Sequence, residues 1–310
     1  MNPLNNDKSL GLKSDSARRI LLLGKWGQLG WELHRALCPL GEVIAKDFPE
    51  IDLVQGAEVR QLVRDVKPQL IVNATAYTAV DKAESEPELA MAINAEAPGV
   101  LAEEAARLNA VLIHYSTDYV FDGTKGQPYR ENDTPNPLNM YGKSKLAGEK
   151  AIENVGGVYL ILRTSWVYSL RRDSFVTKVL EWARKQSTLR IVTDQVSNPT
   201  WCRMLAEVTA QLLAMGGKNL IDWLRERRGL YHLAGAGYAS RFEWAQAILS
   251  HDPHKEEQVV RELQPARTAD FPTAAQRPLF SALDCRHFER TFGLSLPHWE
   301  VALRMAMEEA

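Results

Sequence analysis

Residues 19–30, RILLLGKWGQLG, decide the fold. Ile20 to Leu23 form an unbroken apolar run that stops at Gly24, as a strand buried on both faces does. Gly24, Gly27 and Gly30 follow at GxxGxxG spacing. Behind them Leu29, Leu33, Leu37 and Leu40 recur at helical intervals. A strand, a glycine turn and a helix in that order make a phosphate cradle. The glycines permit a tight turn and close approach of backbone to a pyrophosphate, and the helix start offers free N–H groups with partial positive charge. Gly24, Gly27, Gln28, Leu29 and Gly30 are therefore candidate dinucleotide contacts.

Outward from this loop the same alternation continues. EVIAKD (42–47) reads as a second strand, GAEVRQLVRDV (56–66) as a helix, and QLIVNATA (69–76) as a third strand. An alanine-rich helical stretch spans 86–109, VLIHYSTD (111–118) is a fourth strand, YGKSKLAGEKAIENV (141–155) a helix and VYLILRTSW (158–166) a fifth strand. Strands alternating with helices of this length predict βαβ units and a parallel sheet. The expected fold class is α/β, a Rossmann-type doubly wound parallel sheet with a smaller C-terminal substrate-binding lobe. Residues 1–18 are expected as a flexible tail and 19–167 as the dinucleotide-binding domain, with 188–234 returning to it. Residues 168–187 and 235–310 are expected to form the lobe.

Composition narrows the partners. A net charge of −2 over 310 residues offers no footprint for nucleic acid, and no apolar run reaches the roughly 18–20 residues that span a bilayer. The three cysteines, Cys38, Cys202 and Cys285, are widely spaced and show no CxxC, which indicates neither a disulfide framework nor a zinc site. The expected compartment is the cytoplasm.

At the end of the second strand, Asp47 stands about twenty positions past the glycines, where an acidic side chain holds ribose hydroxyls and favours NADH. Lys25 and Lys46 beside it suit a 2′-phosphate, and also suit plain solvent, so NADPH or NADH both remain open. Asp52 and Leu53 are expected beside the adenine. Ala74 and Ala76, small residues ending the third strand, let a cofactor pass close to the backbone.

The chemical centre is expected at Thr117, Tyr141 and Lys145. Tyr141 and Lys145 are i and i+4, so both project from one helix face. Carbonyl reduction needs a proton donor beside the nascent alkoxide, and a tyrosine serves if nearby positive charge pulls its pKa toward neutrality. Thr117, ending the fourth strand, is placed to orient the carbonyl. Tyr141 and Lys145 are also expected to touch the cofactor.

GKWGQLGWEL, TAVDKAESEPELA, HYSTDYVFDG, PLNMYGKSKLAGE, RTSWVY and DQVSNPT together resemble the extended short-chain dehydrogenase/reductase family over residues 19 to about 305. The resemblance implies hydride transfer from a nicotinamide to the C4 ketone of dTDP-4-dehydro-L-rhamnose, yielding dTDP-L-rhamnose. It implies a small-molecule nucleotide sugar as partner, with Asp118, Trp166 and Thr200 near the sugar and Arg277 near the nucleotide phosphates. Some family members form a homodimer through Mg2+ held by glutamates, and Glu32 and Glu300 match two of those positions. The segments around Trp201, Leu279 and 215–228 depart from the family pattern.

Two other readings compete. A nucleotide-sugar dehydratase places Thr-Asp-Glu at the end of the fourth strand, whereas Thr117-Asp118 is followed here by Tyr119; an epimerase on the same fold stays open. A non-catalytic, nucleotide-binding regulatory subunit typically loses part of the Thr/Tyr/Lys set, and this chain keeps all three.

Overall fold

The computed structural model describes residues 18–308, so the expected tail lies, apart from Arg18, outside the described residues. Six parallel strands form the central sheet: β1 (Arg19–Leu23), β2 (Glu42–Lys46), β3 (Leu70–Asn73), β4 (Val111–Thr117), β5 (Val158–Thr164) and β6 (Gly229–His232). Their spatial order is β2-β1-β3-β4-β5-β6. The chain leaves β1 for β2 on one side and returns to β3 on the other. The topological switch point, where open α/β sheets bind ligands, thus lies between β1 and β3.

Apolar side chains on successive strand positions are buried in opposite layers. Ile20, Leu22, Val72 and Ile113 join the cluster that receives Leu33 and Leu37 of α1 (Gln28–Leu37). Leu21, Leu23, Ile71 and Leu112 join the other, with Val59 and Val63 of α2 (Gly56–Val66) and Leu101 of α3 (Ala97–Leu108). Because both faces are covered, β1 has no polar alternation. Each fully buried leucine contributes about 1.5–3 kcal/mol.

Register aligns the carboxyl ends. Leu23 pairs with both Lys46 and Asn73, so the glycine turn, Asp47 and Ala74 leave one edge together. Asn73 pairs with His114, and β4 runs three residues further to Thr117, beside Thr164 of β5. Helix α4 (Met140–Val155) starts just past that edge, where the Asn139 side-chain Oδ1 accepts the Gly142 N–H at 2.8 Å. Such a cap stabilises a helix start by about 1 kcal/mol.

The remainder builds a lobe over this edge. Helices α5 (Phe175–Lys185) and α7 (Arg241–His251) each begin with a capping box, Ser174 with Thr177 and Ser240 with Glu243. Helix α6 (Cys202–Met215) packs against α1, and α8 (Trp299–Met307) closes the described chain. Within 188–234, α6 and β6 attach to the main domain, whereas Thr188–Val192 pairs with Glu262–Ala266 in a separate parallel ribbon. The stretch 215–228 contains a short helix, Leu220–Arg225.

Candidate active site

The glycine turn is held by contacts that exclude side chains. Gly24 adopts φ +91°, and a Cβ on it would lie 2.9 Å from the Ala74 carbonyl carbon. A Cβ on Gly30 would fall 1.8 Å from the Gly24 carbonyl oxygen, so Gly30 lets α1 close on the turn rather than facing a ligand. No side chain caps α1 at Gly27. The first-turn N–H groups therefore face the cleft that opens at the sheet edge.

This cleft has a volume of about 580 Å3. One end is lined by Gly24, Gly27, Gln28, Leu29, Asp47, Ala74 and Ala76, the other by Thr117, Asp118, Tyr141, Lys145 and Trp166. The Asp47 carboxylate accepts the backbone N–H groups of Trp26 and Phe48, each at 2.8 Å. Lys25 and Lys46 both pair with Glu50. Asp52 and Leu53 line an adjoining cleft that shares Asp47, Phe48, Thr75 and Ala76 with the first. Two cleft-lining polar atoms, Gln28 Oε1 and Thr164 Oγ1, are buried with no protein hydrogen-bond partner. Uncapped helix N–H groups, small residues at the floor and these two orphaned acceptors suit a polar dinucleotide.

At the catalytic end, Thr117 Oγ1 accepts the Tyr119 N–H at 3.1 Å and lies in hydrogen-bond reach of the Tyr141 hydroxyl. The two tyrosine rings, 119 and 141, meet edge-on with centroids 5.8 Å apart. Lys145 is 1% exposed and donates to the Tyr115 carbonyl at 2.6 Å. Burial pushes its pKa down to about 8, against the pull of Glu149. Burial pushes the Tyr141 phenol above its ordinary range, and the Thr117 hydroxyl opposes this. Lys145 Nζ bonds β4 at the Tyr115 carbonyl. Asp118 is raised by burial to about 6, against hydrogen bonds from Ser281, Ser197 and Thr117.

The substrate side is only partly as expected. Trp166 lines the cleft in a left-handed conformation, φ +39°, stacked on Trp244 with centroids 5.5 Å apart. Thr200 does not reach the cleft: it is fully buried, donating to the Asn198 carbonyl and accepting the Gly235 N–H, both at 3.1 Å. Arg277 forms a two-pronged pair with Asp81, at 3.1 and 2.6 Å. Glu32 lies in a separate cleft with Arg35, Trp201, Arg203 and Glu207, and Glu300 sits on the exposed start of α8. Neither belongs to a group of three or more metal-ligating side chains among the described residues; the one such group is the exposed His254, Glu256 and Glu257.

Arg241 went unnoticed in the sequence. Its guanidinium lies 3.6 Å from the Trp166 ring centroid and also faces Phe175 and Trp244. The RFEW segment showed only an amphipathic helix start, and nothing local marks a half-buried cation packed on aromatic rings. Arg172 lines the cleft too, from a loop with no periodicity.

The family model described as the RmlD substrate binding domain matches residues 18–310. The chain belongs to this family. The chain is 40% identical over 300 residues to the dTDP-4-dehydrorhamnose reductase of Burkholderia thailandensis, covering 94% of this chain and 98% of that one. It is 41% identical over 296 residues to the Salmonella typhimurium protein of the same name, with 94% and 97% covered. Among solved structures, the dTDP-4-dehydrorhamnose reductase of Bacillus anthracis in complex with NADP superposes with a TM-score of 0.86 at 31% identity, covering 95% of this chain and all of that one. In this member of the RmlD substrate binding domain family, as in those relatives, the fold is a parallel α/β sheet. No helix among the described residues is long and apolar enough to cross a membrane.

Proposed function

We propose that this chain reduces the C4 ketone of dTDP-4-dehydro-L-rhamnose to dTDP-L-rhamnose with NADPH or NADH. One observation carries the reading: Thr117, Tyr141 and Lys145 line the same cleft as the glycine turn, in a chain about 40% identical to reductases of that name. The nicotinamide, when bound, supplies the hydride.

The protein's groups do the rest. Gly24, Gly27, Gln28, Leu29 and the first turn of α1 bind the pyrophosphate, and Gly30 keeps that turn in place. Asp47 holds the adenosine ribose, with Asp52 and Leu53 toward the adenine. Ala74 and Ala76 admit the cofactor against β3. Tyr141 donates its proton to the C4 oxygen, and Thr117 orients that oxygen through a hydrogen bond. Lys145, immobilised on the Tyr115 carbonyl, supplies positive charge near the phenol. Asp118 and Trp166 contact the sugar, and Arg277 with Arg241 behind it favours the anionic diphosphate. A buried phenol with a raised pKa remains protonated until charge develops on the substrate oxygen, as a general acid requires.

NADPH and NADH oxidation at 340 nm with dTDP-4-dehydro-L-rhamnose tests this. Substrate-dependent oxidation should fall about 10²- to 10⁴-fold in Tyr141→Phe while dinucleotide binding persists. A folded Tyr141→Phe protein with full turnover would sink the mechanism. A folded wild-type protein that binds dinucleotide but oxidises none points to a different sugar nucleotide or a regulatory role.

A further inference from the structure

Beneath Lys145 lies a buried base that the mechanism above does not use. His114 of β4 is fully buried. Its Nε2 is 3.2 Å from Lys145 Nζ, and its Nδ1 is 3.1 Å from Asn73 Nδ2.

Asn73 has only one consistent orientation. Its Oδ1 accepts the Thr75 backbone N–H at 3.1 Å and the Thr75 hydroxyl at 2.5 Å. A backbone N–H is always a donor, so the carbonyl end faces Thr75 and the NH2 end faces the imidazole. Nδ1 must then accept, and a neutral ring carries its proton on Nε2. Burial holds the ring neutral, with the Lys145 charge acting in the same direction. The Nε2–H therefore points at Lys145 Nζ. Against an ammonium this is donor facing donor; against an amine it is a hydrogen bond.

We propose that His114, oriented by Asn73, is a positioning residue that holds Lys145 between ammonium and amine and thereby sets the upper pH limit of turnover. The surrounding groups are few. From β4, the Tyr115 carbonyl accepts from Nζ at 2.6 Å and favours the ammonium. From its own helix, Tyr141 and Glu149 face Lys145. Glu149 favours the ammonium, but its carboxylate is held by Arg163 of β5 at 2.8 and 2.6 Å and by Ser116. With Glu149 so engaged, the His114 N–H is the polar contact that opposes the ammonium. The consequence for turnover rests on the reductase reading; the tautomer and the lysine titration do not.

Nitrogen-15 NMR of histidine in the intact protein reads the tautomer directly, and carbon-13 lysine labelling reads the Lys145 titration. The expected result is an Nε2–H ring at His114 and a lysine midpoint below the ordinary range. His114→Gln offers an amide oxygen to the ammonium and should raise that midpoint by about one pH unit. The basic limb of the kcat profile should move upward equally, with KM at pH 7 unchanged. Asn73→Ala frees Nδ1, lets the ring exchange tautomers and should shift the midpoint in the same direction while keeping the imidazole. An Nδ1–H ring in the wild-type protein overturns the proposal. So does an unmoved Lys145 midpoint in either folded variant. If the tautomer and titration behave as expected in a protein that turns over no substrate, this proposal stands and the reductase reading falls.

Discussion

The hydroxyl of Ser281 donates to Oδ2 of Asp118, joining the lobe to the end of β4 across 163 residues of chain. Ser197 donates to the same oxygen at 3.0 Å. The segment Leu279–Ser281 thus supports a carboxylate that lines the cleft. Two strand-like hydrogen bonds, Val196 N–H to the Leu279 carbonyl and Ser281 N–H to the Val196 carbonyl, hold it there at 2.7 and 2.9 Å.

Ser281→Ala should destabilise the protein in a pH-dependent way. Burial raises Asp118 to about 6, so its contribution to stability is fully present below the unfolded value of 3.8 and is lost as pH rises through about 6. The serine bond offsets that loss by favouring the carboxylate. Its removal should cost about 1–3 kcal/mol at pH 8 and less at pH 5, where the carboxyl is protonated in the folded state. Urea unfolding of both proteins at the two pH values measures this; an equal loss at both would show that Asp118 is not the partner that matters.

Glu50 should govern the choice between the two dinucleotides. Its carboxylate engages Lys25 and Lys46 beside Asp47. Glu50→Gln frees both cations for a 2′-phosphate and should tighten NADPH by about 3- to 10-fold, leaving NADH unchanged. Calorimetric titration with each dinucleotide decides it, and parallel changes in both would refute the assignment.

Gly30→Ala should damage the phosphate loop without touching the reacting groups. The new methyl would meet the Gly24 carbonyl oxygen at 1.8 Å, so α1 must shift. We expect a loss of about 1–3 kcal/mol in stability and at least about tenfold in dinucleotide affinity. Thermal melts and a dinucleotide titration report the two effects, and native affinity would show that α1 does not brace the turn.

Arg241→Met keeps an apolar stem against Trp166, Phe175 and Trp244 but removes the charge. The Trp166 backbone is strained at φ +39°, so loss of this stacking should let the indole move. The expected effect is a rise in KM for the nucleotide sugar of about 3- to 30-fold, with dinucleotide affinity intact. Steady-state kinetics at saturating NADPH would reveal an unchanged KM if Arg241 is only core.

What the chain determined by itself are the features carried by neighbouring residues. A continuous apolar run, three glycines and a helical leucine repeat specify β1, the turn and α1, because local sterics and hydrogen bonding are settled within a few residues. The Tyr141–Lys145 pair is legible for the same reason: helix geometry places i and i+4 together whatever surrounds them. The register that aligns Gly24, Asp47 and Ala74 at one edge, the burial that raises Tyr141 and lowers Lys145, and the convergence of Ser281 on Asp118 were decided only by tertiary structure. So were the withdrawal of Thr200 from the cleft and the arrival of Arg241 behind Trp166. Each depends on desolvation and on partners far apart in the chain, and neither quantity is carried by any short stretch of residues.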